Sequence, residues 1–235
     1  DIKLLDKVIK KAKVVYHFAA LANLEEALHK PIETVNNNIL GTVNVLEVSK
    51  NYNIRRLIYA SSIYSTSSQG GFYKCSKRAA EDYIEEYYKR YGQEFTILRY
   101  GSLYGSRTNI SNGVTRVLKN AIKNKKLQYY GSKQTSRKYI SVFDAARATA
   151  DIISPKYINK HVNITGKKSI KISQLIQIVS KELEISSKAE YFNQKITGHY
   201  VKFPKLFKLK SGINYKLKKQ VKFNHGIKHL INSLT

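Results

Sequence analysis

Several things are scarce in this chain of 235 residues. It has no Met, no Trp, one Cys, three Pro and 12 Gly. A lone Cys75 excludes an internal disulfide. Three prolines exclude a proline-rich rod or linker, and 12 glycines without a three-residue period exclude a collagen-like chain. No apolar run approaches the roughly 18 residues that cross a bilayer, so membrane insertion is not expected. The opening residues DIKLLDKVIKKAK lack the charged and apolar regions of a secretory signal. A reducing, cytoplasmic location is therefore expected.

Acid is scarce as well: 16 Asp and Glu stand against 42 Lys and Arg, a formal charge of +26. The imbalance is local. Residues 1–94 hold 14 basic and 11 acidic side chains, whereas residues 95–235 hold 28 and 5. Such a region attracts anions. The basic residues are scattered singly and no nucleic-acid module accompanies them, so a solvated Lys-rich surface is expected and specific nucleic-acid binding is not.

What is present is ordinary globular composition, 42% hydrophobic and 25% charged. Short apolar runs alternate with segments of helical period, the rhythm of βαβ units. VVYHFAA (14–20), RLIYASS (56–62) and FTILRYG (95–101) read as strands covered on both faces. Helical patterns fill 38–50 and 74–91, the second closed by Gly92. This is an α/β chain with a doubly wound parallel sheet, Rossmann-like. Ligands of such sheets bind at the carboxyl ends of the strands, near Ala19, Ala20, Ser61, Ser62 and the residues after Arg99. Beyond about residue 105 the rhythm loosens. A helix is expected near 114–125, a turn at Tyr130-Gly131, a helix capped by Asp144, a strand HVNIT, a helix begun by Ser173 and a final helix around 226–234. The expected division is a partial dinucleotide-binding domain over 1–105 and a smaller, mainly substrate-binding lobe over 106–235, with about 139–165 returning to the sheet.

Tyr73 and Lys77 in FYKCSK share one face of a helix, one turn apart. A phenol is a weak base at neutral pH, but a nearby ammonium favours the phenolate. The spacing alone is unspecific. Tyr129/Lys133, Tyr191/Lys195 and Tyr215/Lys219 repeat it, but only Tyr73/Lys77 opens a helix after a buried strand ending in Ser61 and Ser62. Cys75, between the pair and without a neighbouring His, reads as a small helix-face residue.

With YASS and YKCSK in this order, after VVYHFAA and NNNILGTVNVLE and before ILRYGSLYG and SRKYISVFDAARA, the chain resembles the extended short-chain dehydrogenase/reductases, specifically the nucleotide-sugar epimerases and dehydratases of the UDP-glucose 4-epimerase type. The resemblance implies NAD as cofactor and a nucleotide-diphosphate sugar as substrate, epimerised at C4 through a transient keto sugar. Tyr73 would be the base, Lys77 would hold the nicotinamide ribose and lower the phenol, and Ser62 would bond the reacting oxygen. Asp1, Ile2, Ala19, Ala20, Leu21, Asn38, Ser61 and Tyr100 would line the cofactor. Ser102, Tyr130 and Arg137 would meet the substrate's nucleotide and diphosphate. No metal is expected. A homodimer through helices 38–50 and 74–91 and a role in surface polysaccharide synthesis are further implications.

The chain also departs from the family pattern. Where 4,6-dehydratases carry an Asp-Glu pair after the catalytic hydroxyl, it has Ile63 and Tyr64, which disfavours water elimination. Ser102 stands where the family has an amide, the 62–73 loop is short, and Lys138 replaces an Asp beside Arg137. No Gly-x-x-Gly-x-x-Gly loop occurs. In the family the elements that carry that loop come to roughly 60 residues and would end where Asp1 begins; whether the natural product holds them stays open, and without them 14–20 is expected to be an open, aggregation-prone edge. Two other readings stay open, a net nucleotide-sugar oxidoreductase or decarboxylase and a non-catalytic remnant.

Overall fold

The computed structural model describes residues 1–192, 199, 201–202, 212–217 and 219–234. They fall into two compact units. The first comprises Asp1–Tyr100, Asp151–Asn163 and the described residues 212–214; the second takes the remainder.

In the first unit the chain runs α1 (Ile2–Ile9), β1 (Val14–His17), α2 (Leu24–His29), α3 (Pro31–Thr34), a π-helical stretch (Val35–Leu40), α4 (Gly41–Ser49), β2 (Arg56–Ser62), a 3₁₀ turn (Ile63–Thr66), α5 (Gly71–Tyr91) and β3 (Phe95–Tyr100). β1 pairs parallel with β2, and β2 parallel with β3. With β8 (Lys160–Ile164) and β11 (Ile213–Asn214), which also pair parallel, the described strands form one sheet in the order β1-β2-β3-β8-β11. This is the α/β, largely parallel sheet read from the sequence. β2 and β3 are buried almost throughout, as their continuous apolar runs require. Ile9, Val45, Leu46, Leu57, Tyr59, Ala80, Ile84 and Ile97 form the core of this unit.

Local physics moves several expected boundaries. β1 stops at His17, so that 18–20 are irregular backbone. α5 begins at Gly71, three residues before its periodic pattern, because a left-handed Gly70 (φ 116°) turns the chain into it without a polar side-chain cap. Gly71 is also left-handed (φ 53°), and a Cβ there would lie 2.6 Å from Leu28 Cδ2. The C-terminal stop at Gly92 is as expected, with φ 69°.

The second unit contains β4 (Ser102–Tyr104), α6 (Gly113–Asn124), β5 (Gln128–Tyr130), β6 (Ser136–Arg137), β7 (Tyr139–Ser141), α7 (Val142–Asp151), β9 (Ile170–Lys171), α8 (Ile172–Glu182), β10 (Glu190–Phe192) and α9 (Phe223–Asn232). Its strands pair as β4/β7, β5/β10 and β6/β9. Val117, Leu118, Leu175, Val179, Ile227 and Leu230 are central to its core. α6 is capped by Asn112, whose Oδ1 accepts from the backbone N–H of Val114 and Thr115. Asp144 is not the cap expected. α7 starts two residues earlier, Ser141 Oγ accepts the Asp144 N–H at 3.1 Å, and the buried Asp144 carboxylate pairs with Arg147 and accepts from Val221 N–H at 3.0 Å. α8 likewise starts at Ile172, not Ser173, closed by Gln174 Oε1 accepting the Lys171 N–H.

Candidate active site

β2 delivers Ser61 and Ser62 at its carboxyl end, and the first two turns of α5 present Tyr73 and Lys77; all four are buried. Ser62 Oγ accepts from Tyr64 N–H at 3.3 Å. Lys77 Nζ donates to Ala60 O at 2.8 Å and lies 4.7 Å from the Tyr59 ring centroid and 5.8 Å from that of Tyr73. Three of the residues expected to do chemistry therefore share one desolvated cluster.

The electrostatics differ in one respect from the sequence reading. Burial pushes the Tyr73 phenol up to about 12, with neighbouring Ser62 acting in the opposite direction. Lys77 does not lower the phenol here, because its ammonium is turned to the Ala60 carbonyl. Burial also brings Lys77 down to about 8, opposed by the charge of Glu81. His17, bonded through Nε2 to Thr42 Oγ1 at 3.0 Å, is held at about 4 by burial and by Lys77.

The segment after β1 is fastened to this cluster by Asn38. Its Oδ1 accepts from Leu21 N–H (2.7 Å), and its Nδ2 donates to Leu21 O (3.0 Å) and Ser76 Oγ (2.9 Å). Ala19, Ala20 and Leu21, with Glu33 and Asn37, line a cavity of about 380 Å³. Two consecutive alanines let a ligand approach the backbone there. Tyr100 ends β3, its ring edge-on to Phe18 at 6.4 Å. Asp1 and Ile2 begin α1: Asp1 is its N-cap, accepting from Leu4 N–H, and both are exposed.

The expected substrate residues belong to the second unit. Ser102 opens β4 opposite Tyr139 of β7. Tyr130 stacks on Phe192, with ring centroids 5.0 Å apart. Arg137 is buried, and its Nη1 donates to Ser136 O. Of the Tyr/Lys pairs set aside as chance, Lys195 lies outside the described residues.

The sequence reading missed Glu81. Its Oε1 accepts from Ser61 Oγ at 2.5 Å, and its Oε2 meets Arg99 Nη2 at 2.6 Å. Burial alone would raise this carboxyl, but His161, Arg99 and Ser61 outweigh it and hold it at about 2. A signal was available, since Glu81 stands one turn beyond Lys77 on the same helix face. Ile63 and Tyr64, which stand where a dehydratase would carry its acids, are buried in the 3₁₀ turn.

Residues 1–165 match the model of the NAD dependent epimerase/dehydratase family. The chain belongs to that family. A UDP-glucuronate 4-epimerase of Thermodesulfobacterium geofontis is 27% identical over 232 residues, 93% of this chain and 71% of that protein. Among solved structures, a Bacillus cereus UDP-glucuronic acid 4-epimerase in complex with NAD and UDP-4-deoxy-4-fluoro-glucuronic acid superposes with a TM-score of 0.87, at 22% identity, over 100% of this chain and 79% of that one. A Thermotoga maritima UDP-glucose 4-epimerase with UDP-glucose gives 0.85 at 22% identity over 99% and 81%. At this identity the superpositions establish the fold.

Proposed function

We propose that this chain is an NAD-dependent nucleotide-sugar epimerase that inverts the sugar at C4 through a transient keto sugar. One observation carries the reading: Ser62, Tyr73 and Lys77 are buried together, with the Lys77 ammonium 5.8 Å from the Tyr73 ring and one helical turn away. A hydroxyl pair that can pass a proton, beside a fixed cation, suits reversible deprotonation of a secondary alcohol. NAD fits the residues present. The Ala19–Leu21 backbone lines a cavity, and Lys77 has three donors of which Ala60 O takes one. When bound, NAD supplies a reversible hydride acceptor. Tyr73 takes the proton of the sugar C4 hydroxyl and later returns it, Ser62 orients that oxygen, and Lys77 holds the nicotinamide ribose with the donors that Ala60 O leaves open. Asn38 keeps the cofactor-facing backbone of Leu21 in place, and Tyr100 borders the same edge of the sheet.

Ser102, Tyr130 and Arg137 are the proposed contacts for the nucleotide diphosphate. Hydrophobic Ile63 and Tyr64 leave no carboxylate at the positions where a 4,6-dehydratase expels water, which favours epimerisation. Exposed Val35, Leu40, Tyr83 and Tyr88 on or beside the helices near 38–50 and 74–91 support a homodimer, to be measured by light scattering. Tyr73→Phe is expected to abolish epimerisation of UDP-sugars while leaving their binding, measured by calorimetry, within a few-fold. Full turnover by that variant would remove Tyr73 from the mechanism.

A further inference from the structure

Behind the proposed site lies a buried charge cluster that the mechanism above does not use. Glu81 is its centre. Ser61 Oγ donates to Glu81 Oε1; Arg99 donates to the same carboxylate through Nε at 3.1 and 3.2 Å and through Nη2 at 2.6 Å. His161 of β8 approaches from the far side, with Nδ1 3.5 Å from Glu81 Oε2 and Nε2 2.6 Å from Glu85 Oε1. Glu81, Arg99 and Ser61 are all at least 96% buried.

Each partner is one step from a residue of the site. Ser61 precedes Ser62, Arg99 precedes Tyr100, and Glu81 follows Lys77 by one turn and Tyr73 by two. We infer that Glu81 is a positioning residue of the proposed site: its carboxylate fastens the helix bearing Tyr73 and Lys77 to the ends of β2 and β3 and holds a fixed negative charge beside Lys77. The inference rests on the site reading proposed above. A buried ion pair contributes little net stability compared with well-packed apolar side chains, so stability alone does not account for a carboxylate here. What it supplies is register between three elements and a field. The other titratable groups facing Lys77 are Tyr73 on its own helix, Tyr59 on β2 and His17 on β1. Glu81 is the anion among them, and its charge favours the protonated amine.

The test follows the Lys77 amine itself, in the chain carrying lysine labelled with ¹³C at Cε; the Lys77 signal is identified by its loss in Lys77→Met. In the parent chain its midpoint is expected near pH 8. Glu81→Gln is expected to move that midpoint to lower pH, and Glu81→Asp, which keeps the charge, to bring it back toward the parent value. With UDP-glucose and UDP-glucuronate as probes, Glu81→Gln should lower kcat, leave KM within a few-fold, and displace the alkaline limb of the rate profile with the Lys77 midpoint. Because Glu81→Gln leaves Arg99 buried without its partner, the double variant Glu81→Gln/Arg99→Gln is measured alongside and carries the same expectation for Lys77. An unchanged Lys77 midpoint in either folded variant overturns the inference. So does collapse of both, which would make the carboxylate a structural group and no more. If the parent chain turns over neither UDP-sugar, the functional reading fails while the Lys77 titration still decides the role of Glu81.

Discussion

The two compact units bury different kinds of residue. In the first, Arg56, Lys77, Glu81 and Arg99 are charged side chains with almost no exposure, and Ser61, Ser62, Thr42 and Asn38 are buried with them. In the second, the buried charged side chains among the described residues are Arg137 and Asp144, and its core of Val117, Leu118, Leu175, Val179 and Leu230 is aliphatic. Taking charge out of water is costly unless each group is paired. The first unit pairs Glu81 with Arg99 in a network at the carboxyl ends of β2 and β3, where proton transfer would occur, while Arg56 at the start of β2 donates through Nη1 to the Ile152 and Ser154 carbonyls. The second has little such demand and gains its stability from apolar burial. The contrast teaches where to expect chemistry to fail on mutation, and where to expect only the fold to fail.

Four predictions separate the units, beginning with the largest effect. Lys77→Met should reduce epimerisation by a factor on the order of 10² or more, with little change in the far-ultraviolet spectrum, because it removes the cation and not the packing. Leu118→Ala or Leu175→Ala, both fully buried, should cost about 2–5 kcal/mol in urea unfolding, while activity per folded molecule is retained. A loss of activity ahead of the loss of fold would break the division.

The third prediction concerns acid. Glu81 is held at about 2 against an ordinary 4.5, so its contribution to stability is complete above pH 4.5 and is lost as pH falls from there toward 2. His17 is held at about 4 against 6.5, so its neutral form favours folding above pH 6.5, and that term is lost on descending toward 4. Unfolding of the first unit should therefore steepen below pH 6.5 and again below 4.5. His17→Phe should erase the upper step alone, as read by stability against pH. Smallest, exchanging the exposed Lys30 of the Glu26–Lys30–Glu33 pairs for Ala should leave the urea midpoint unchanged within error.

Much of the first unit was legible in the sequence because its signals are local. A strand covered on both faces must read as a continuous apolar run, and Arg56–Ser62 and Phe95–Tyr100 do. Tyr73, Lys77 and the strand-end serines were legible because helix period and strand ends place them. Less legible were features decided by distant contacts. The early start of α5 depends on Gly70 and Gly71 meeting Tyr64 and Leu28, and the residues give no polar cap to announce it. Asp144 has the composition of an N-cap, but pairing with Arg147 and accepting from Val221 N–H secure it inside the helix. The rise of the Tyr73 phenol follows from burial, which spacing does not reveal. Glu81 shows both sides: its place on the helix face was readable, whereas its partners Arg99 and His161 lie 18 and 80 residues further along the chain.

The most direct test of the central claim is to incubate the protein with NAD and UDP-glucose or UDP-glucuronate deuterated at C4, and to follow the sugar by NMR. The account predicts the C4 epimer with deuterium still at C4 and no net accumulation of NADH. Failure to form any epimer, or an epimer carrying solvent hydrogen at C4, would contradict it.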